Sequence, residues 1–359
     1  MKTFIPKASL LPGHVPEDQH VHLWQQSIAP MLEAVPVHGP EIAQKLPEMN
    51  QYHLGRFLFI DCNFPGQNFR RTASMMARHD DVDHASLHMF THGRNRVVNG
   101  GIDFEIRPGN VYGVNLAHAV TARSTQSEAL VLVLPRQLLL DEVPQIADLR
   151  GAAFAEGSVS GQLFMDHMLA LRRLLPQAGM DSIPALTQSL LGLLDALVVH
   201  GDATARVAQT AMFASICRHI DQRLDDPALG VESLCAQFRC SRATLYRLFK
   251  QNGGVREHIQ GRRLMACFKA ITAPRHMQRR IFDIALDYGF VSPSHFSHLF
   301  RRHFGLSPSE AREMGEKRPG YRLELDLSMG GDAATDAATD AVRMWRWVKS
   351  LTVSAAMRG

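Results

Sequence analysis

The sequence predicts a two-domain α+β protein: a β-barrel or sandwich with helices on the N-terminal side, and an all-α domain with two helix-turn-helix units on the C-terminal side. Three observations lead there. A chain of 359 residues exceeds what one hydrophobic core usually organises. Its hydrophobic pattern changes period near Pro144, from short alternating runs to spacings of three and four. A stretch beginning at Ser233 recurs about fifty residues later with its order of polar and apolar positions kept.

From Gly55 to Pro135 the runs FLFI, SLHMF, VVNGGIDFEI, RPGNVYGV and EALVLVLP are short, apolar and broken by turn chemistry, which predicts seven or eight strands. Asn99-Gly100-Gly101 supplies the positive-φ residues of a tight hairpin, and Pro108-Gly109 marks the next reversal. Beyond Pro144, Leu163, Phe164, Met168, Leu171, Leu174 and Leu175 predict one amphipathic helix, and Leu186, Leu190, Leu193, Leu194 and Leu197 a second. That second stripe suits either core packing or pairing with its twin in a dimer. The small polar segment His200–Thr204 separates the halves. The expected division is 1–200, a linker over 201–212, the helical domain over 213–318, and a low-complexity tail over 319–359.

Within the repeat, Leu245, Leu248 and Phe249 recur as Phe296, Leu299 and Phe300 at an offset of 51, and Leu234 recurs as Ile284 at 50. Each unit reads as a short helix, a turn, and a second helix opened by a serine cap, Ser241 or Ser292, with Pro293 at the first helical position. The apolar positions of each second helix lie on one side. Arg242, Ala243, Thr244, Tyr246, Arg247 and Lys250 face outward in the first, and Ser294, His295, Ser297, His298, Arg301 and Arg302 in the second. Arginine can hold guanine O6 and N7 in bidentate fashion, and serine, histidine and tyrosine suit base edges or phosphates.

Charge agrees. Residues 215–318 hold eighteen Lys and Arg against ten Asp and Glu, a net of +8, residues 1–214 carry −4, and the tail is balanced. A basic block on an acidic body points to a phosphate-rich partner for one domain only. With 45% hydrophobic and 21% charged residues, wholesale disorder is excluded. Apolar runs such as Ala129–Leu134 fall short of the roughly 20 residues a bilayer span needs. No apolar signal segment precedes Pro12, so a cytoplasmic protein without a membrane partner is expected. Five scattered cysteines argue against a disulfide framework or a four-cysteine zinc site and predict reduced thiols. Cys240, between Arg239 and Arg242, sits where a thiol pKa can fall, although an inert cysteine is the plainer reading.

The stretch Ile216–Met314 closely resembles the DNA-binding domain of AraC/XylS-type transcriptional regulators through SRATLYRLFK, RRLMACFKAI, IALDYGF, SHFSHLFRRHFG and LSPSEAR. The resemblance implies two helix-turn-helix units joined by a long linker helix. It places base contacts at Ala243, Tyr246 and Arg247, and at Pro293, Ser294, Ser297 and His298. Alanine and proline lack a side-chain donor, so reading should concentrate on Tyr246, Arg247, Ser297 and His298. Gly289 occupies the second turn, but Arg239 stands at the matching place in the first, so a differently shaped first turn is expected. The helix carrying Ile284 lacks a capping Ser, Thr or Asp in Met277–Arg280, and Ser307-Pro308-Ser309-Glu310 reads as a capping box.

The N-terminal strands, with GGIDFEIRPGNVYGVN, resemble the cupin-like regulatory domain often joined to such domains, which implies effector sensing and a homodimer. His84, His88 and His92 share one strand face, which suits a metal, but no HxH pair follows, so strand-end or pocket-wall histidines are the plainer reading. Arg70 and Arg71 suit a carboxylate or open solvent. The effector candidates are Arg71, His88 and His92. GSVSG is not GxSxG, and neither a P-loop nor HExxH occurs, so no catalytic residue, metal or cofactor is expected. The function expected is a sequence-specific regulator of promoter DNA and RNA polymerase, controlled by an unidentified small-molecule effector. A metal-dependent cupin enzyme with a tethered DNA-binding domain, or a regulator switched by a protein partner, are the alternatives. The tail, GDAATDAATDAVRMWRWVKSL, suits a docking helix or a frayed terminus.

Overall fold

A computed structural model describes residues 3–13, 15–36, 46–72, 75–76, 79, 82–143, 146–147, 149–154, 156–196, 203–250, 254–316 and 332–351. They form two units, Met1–Arg71 with Asp81–Val199 and Leu323–Gly359, and Thr72–Asp80 with His200–Arg322.

The first unit is a β-sandwich. Its strands are β1 (Lys7–Leu10), β2 (Glu33–Pro36), β3 (Glu48–His53), β4 (Leu58–Phe64), β5 (Gln67–Arg71), β6 (Ala85–His92), β7 (Asn95–Asn99), β8 (Ile102–Ile106), β9 (Val111–Asn115), β10 (Val120–Ser124), β11 (Ser127–Leu134) and β12 (Gly151–Ala152). Helices α1 (Glu17–Ile28), α2 (Arg136–Glu142), α3 (Val159–Leu174) and α4 (Ile183–Ala196) accompany them. One sheet runs β1-β3-β4-β11-β6-β9-β12 and the other β2-β5-β10-β7-β8. Alternation turns Ile60, Cys62 and Phe64 of β4, Ala129, Val131 and Val133 of β11, Phe69 of β5 and Val97 of β7 into one shared core. The hairpin between β7 and β8 falls where the sequence placed it, with Asn99 opposite Ile102 and positive φ at Gly100 and Gly101. Both amphipathic helices form as α3 and α4, while Leu197 lies outside the described residues. Arg172 of α3 pairs with Asp61 at 3.1 Å, seating that helix on the outer face of β4.

The second unit is helical: α5 (Ala203–Gln222), α6 (Val231–Phe238), α7 (Arg242–Leu248), α8 (Val255–Thr272), α9 (Ile281–Asp287), α10 (Pro293–Phe304) and α11 (Pro308–Glu316). Of the stretch set aside as a linker, 201–202 lie outside the described residues and the rest is helical in α5. Helices α6 and α7 form the first helix-turn-helix and α9 and α10 the second, with α8 between them. Ile284, Phe290, Phe296, Phe300 and Phe304 build the second core against Leu264, Phe268 and Ile271 of α8.

The last helix, α12 (Asp332–Ser350), belongs to the first unit. Ala337, Ala338, Ala341, Met344, Val348 and Leu351 are buried in the sandwich core cluster. Ser9 N–H donates to Asp340 Oδ2 at 2.8 Å, and His84 Nε2 to the Val348 carbonyl at 2.8 Å. The stretch read as a low-complexity tail therefore supplies one face of the sandwich core. Residues 319–331 and 352–359 of that stretch lie outside the described residues, as do 317–318 before it.

Candidate nucleic-acid interface and ligand cavity

In the first helix-turn-helix, Ser241 caps α7 by accepting the Thr244 N–H at 3.1 Å, and its hydroxyl shares a 3.0 Å hydrogen bond with that of Thr244. Leu245 and Phe249 are fully buried beneath it. On the other side Ser241, Arg242, Ala243, Tyr246, Arg247 and Lys250 are exposed and Thr244 is half-buried. Arg242 is drawn to Glu232 of α6 at 2.9 Å, an exposed pair of small energetic weight.

The second unit repeats this. Ser292 caps α10 by accepting the His295 N–H at 3.3 Å, and Pro293 fills the first helical position. Phe296, Leu299 and Phe300 point inward, while Pro293, Ser294, His295, Ser297, His298, Arg301 and Arg302 are exposed. Every residue proposed from sequence for DNA contact lies on one of these two faces.

The two turns share one shape, which the sequence did not suggest. Arg239 takes φ 48°, ψ 43°, the left-handed region, and Gly289 takes φ 79°. Around Arg239 the Cys240 N–H bonds the Cys235 carbonyl at 3.1 Å and the Arg239 N–H the Ala236 carbonyl at 3.4 Å, so the helix-ending hydrogen bonds hold a non-glycine residue in a costly conformation. Cys240 is not a lowered thiol: burial and the neighbouring Cys235 push its pKa up. Helix α9 starts without a side-chain cap, whereas Ser307 and Glu310 form the anticipated reciprocal box, with Glu310 N–H donating to Ser307 Oγ at 3.2 Å and Ser307 N–H to Glu310 Oε2 at 2.6 Å.

Two arginines of α8, missed from sequence because they read as generic charge, fix α5 and the turn after it to this helix. Arg262 pairs with Asp221 of α5 at 2.7 Å. Arg263 donates to the carbonyls of Leu224 and Asp226 at 3.1 and 2.6 Å, and its guanidinium also lies 3.1 Å from where a Cβ on Gly289 would sit.

The sandwich holds a partly open cavity of about 90 Å³. Its wall is mostly aromatic and aliphatic, with Trp24, Phe64, Phe69 and Phe90 among the lining residues, and polar atoms come from Ser86, His88 and Asn95. Strand register explains who faces inward: Ser86, His88 and Phe90 alternate on β6, and Asn95 opens β7 opposite Ser124. His88 Nε2 meets Ser86 Oγ at 2.9 Å, and Ser86 Oγ also reaches the Val114 carbonyl at 3.3 Å. Burial pushes the His88 imidazole down to about 4, so it is neutral near pH 7.

Of the other effector candidates, neither Arg71 nor His92 is among the cavity-lining residues. Arg71 is 2% exposed, and its guanidinium donates to the carbonyls of Leu116, Pro30, Met31 and Val82 at 2.6 to 2.9 Å, so it staples three backbone segments together. His92 ends β6 in solvent. Among the described residues no three His, Cys, Asp or Glu side chains are grouped to hold a metal. No helix of the described residues is long and apolar enough to cross a membrane. Asn95, Ser86 and Trp24 were missed from sequence, because only cross-strand register and the packing of α1 on the sheets show that they share one wall.

Residues 234–314 match a family described as a helix-turn-helix domain, and residues 47–199 one described as an AraC-binding-like domain. The regulatory protein SoxS of Salmonella typhimurium is 37% identical over 95 residues, 26% of this chain and 85% of SoxS. The HTH-type transcriptional activator RhaS of Klebsiella pneumoniae is 40% identical over 84 residues, 23% of this chain and 29% of RhaS. Among solved structures, the AraC-like transcriptional activator CuxR is similar over 73% of this chain and 94% of its own, at 21% identity and a TM-score of 0.48.

Proposed function

Because this chain belongs to the AraC/XylS family of transcriptional regulators, we propose that it reads promoter DNA with α7 and α10, and that a small molecule held in the sandwich cavity sets how tightly it does so. The observation that carries the reading is the pair of serine-capped helices, each with a buried apolar side and an exposed polar one, in a block of net charge +8. Tyr246, Arg247, Ser297 and His298 read base edges, and Lys250, Arg301 and Arg302 hold phosphates. RNA polymerase is the partner acted upon, the setting is the cytoplasm, and no turnover is assigned to the sandwich. A homodimer is supported by α3, which leaves Val159 74%, Leu163 55% and Leu174 55% exposed.

If each recognition helix enters a major groove, methylation interference with the intact protein shows two guanine clusters about one turn, or roughly 34 Å, apart. A single cluster would mean that one unit reads DNA. Arg247→Ala costs about 1–3 kcal/mol on the operator and relaxes one base pair, while Arg302→Ala weakens all DNA evenly and lowers the salt slope by about one. Equal loss on operator and random DNA for Arg247→Ala sinks its base-reading role. Coupling is reciprocal, so an effector that favours the DNA-bound state binds more tightly when operator is present; unchanged affinity sinks the control by a ligand.

A further inference from the structure

We infer that the cavity takes an uncharged, single-ring-sized apolar molecule bearing one hydrogen-bond donor, a hydroxyl or an N–H; this rests on reading the cavity as the effector site. The inference follows from what the walls offer. The lining residues include no Lys, Arg, Asp or Glu. A carboxylate or phosphate entering there would give up its water and meet no opposite charge, and an ammonium would fare the same. The buried cation nearby in sequence, Arg71 at the end of β5, already holds four carbonyls. His88 supplies no charge either, since it is neutral near pH 7.

The buried polar atom of the lining that the fold leaves unpaired is an acceptor. Ser86 has one hydroxyl hydrogen, and donating it to the Val114 carbonyl makes Ser86 Oγ the acceptor for His88 Nε2–H. His88 Nδ1 then carries a lone pair. Asn95, 7% exposed, has its Oδ1 buried with no hydrogen-bond partner. A buried acceptor left unpaired is costly, and a ligand O–H or N–H removes that cost, whereas a second acceptor would add to it. Size gives the remaining constraint. The cavity, about 90 Å³, holds several times the roughly 10–15 Å³ that one water needs, which is the scale on which apolar holes accept single-ring guests.

The test uses the intact protein at pH 7 and four probes of nearly one size: phenol, anisole, toluene and benzoate, titrated calorimetrically. Phenol should bind tightest, anisole and toluene about 3- to 10-fold more weakly for want of one hydrogen bond, and benzoate not measurably. Asn95→Ala should bring phenol down to the level of toluene while toluene is unchanged, which a general loss of fold would not do. Ala122→Phe, checked for native circular dichroism, fills the space between Phe69 and Val97 and should abolish binding of all probes. Benzoate binding as tightly as phenol overturns the uncharged class while leaving the site in place, as does phenol no better than anisole for the donor. Binding undiminished in Ala122→Phe overturns the cavity as the site, and failure of every neutral probe to bind at its solubility limit overturns the ligand class.

Discussion

Acidification should loosen the sandwich unit through His88, by an amount the cavity sets. The imidazole titrates near 6.5 in an unfolded chain and at about 4 in the folded one, because burial penalises the charged form. Between those values the unfolded state binds the extra proton. The neutral histidine's contribution is therefore complete above about pH 6.5, is lost as pH falls from there, and levels off below about 4. Two and a half pKa units at about 1.4 kcal/mol each make the loss about 3 kcal/mol. Burial also lowers His53 and His167 and raises Asp61, so His88 is one of several contributors to the acid slope. The difference between wild type and His88→Gln isolates it. All three tryptophans, Trp24, Trp345 and Trp347, belong to the sandwich unit, so urea unfolding followed by tryptophan fluorescence reads that unit. From pH 7 to about pH 4.5 the two stability curves should converge by about 2–3 kcal/mol. A gap that stays constant over this range would refute the assignment of the lowered pKa to His88.

The two turns should respond oppositely to exchange. Arg239→Gly relieves a left-handed residue worth about 1–2 kcal/mol, less the entropy of the added glycine, for a net gain of about 0.5–1 kcal/mol in helix melting. Gly289→Ala loses about 1 kcal/mol or more, since its Cβ would lie 3.1 Å from Arg263 Nη1; equal effects at both sites would count against the shared turn geometry. Met344→Ala, at a fully buried position of α12, should destabilise the sandwich by about 2–5 kcal/mol by fluorescence, and a change below 0.5 kcal/mol would mean that the helix is not part of that core.

What the sequence made legible was local. The Asn99-Gly100-Gly101 hairpin, the serine caps at 241 and 292 and the apolar side of each recognition helix all follow from residues within a few positions of one another, and each stands as read. Long-range pairing was not legible. Asn95 becomes a cavity residue only because β7 pairs β10, which turns its side chain inward beside Ser124. The left-handed Arg239 defied its propensity because the hydrogen bonds ending α6 and the packing of Leu234, Leu245 and Phe249 outweigh a cost of about 1–2 kcal/mol. The Ala-Thr-Asp repeat hid a packing surface, since Ala337, Ala338 and Ala341 look like filler until their shared face meets α1 and β1.

That return of α12 reaches into how the protein is made. Ser9 and Asp340 are 331 positions apart, so at about 5–20 residues per second the ribosome needs on the order of 15 to 70 s between emitting β1 and emitting the helix that covers it. Vectorial synthesis usually lets the first domain finish before the next begins. Here the helix-turn-helix unit emerges complete while the sandwich still exposes the apolar face that Met344 and Val348 will close. The nascent chain thus carries a complete helix-turn-helix unit before its sandwich is shut, and for that interval the open apolar face is exposed to aggregation.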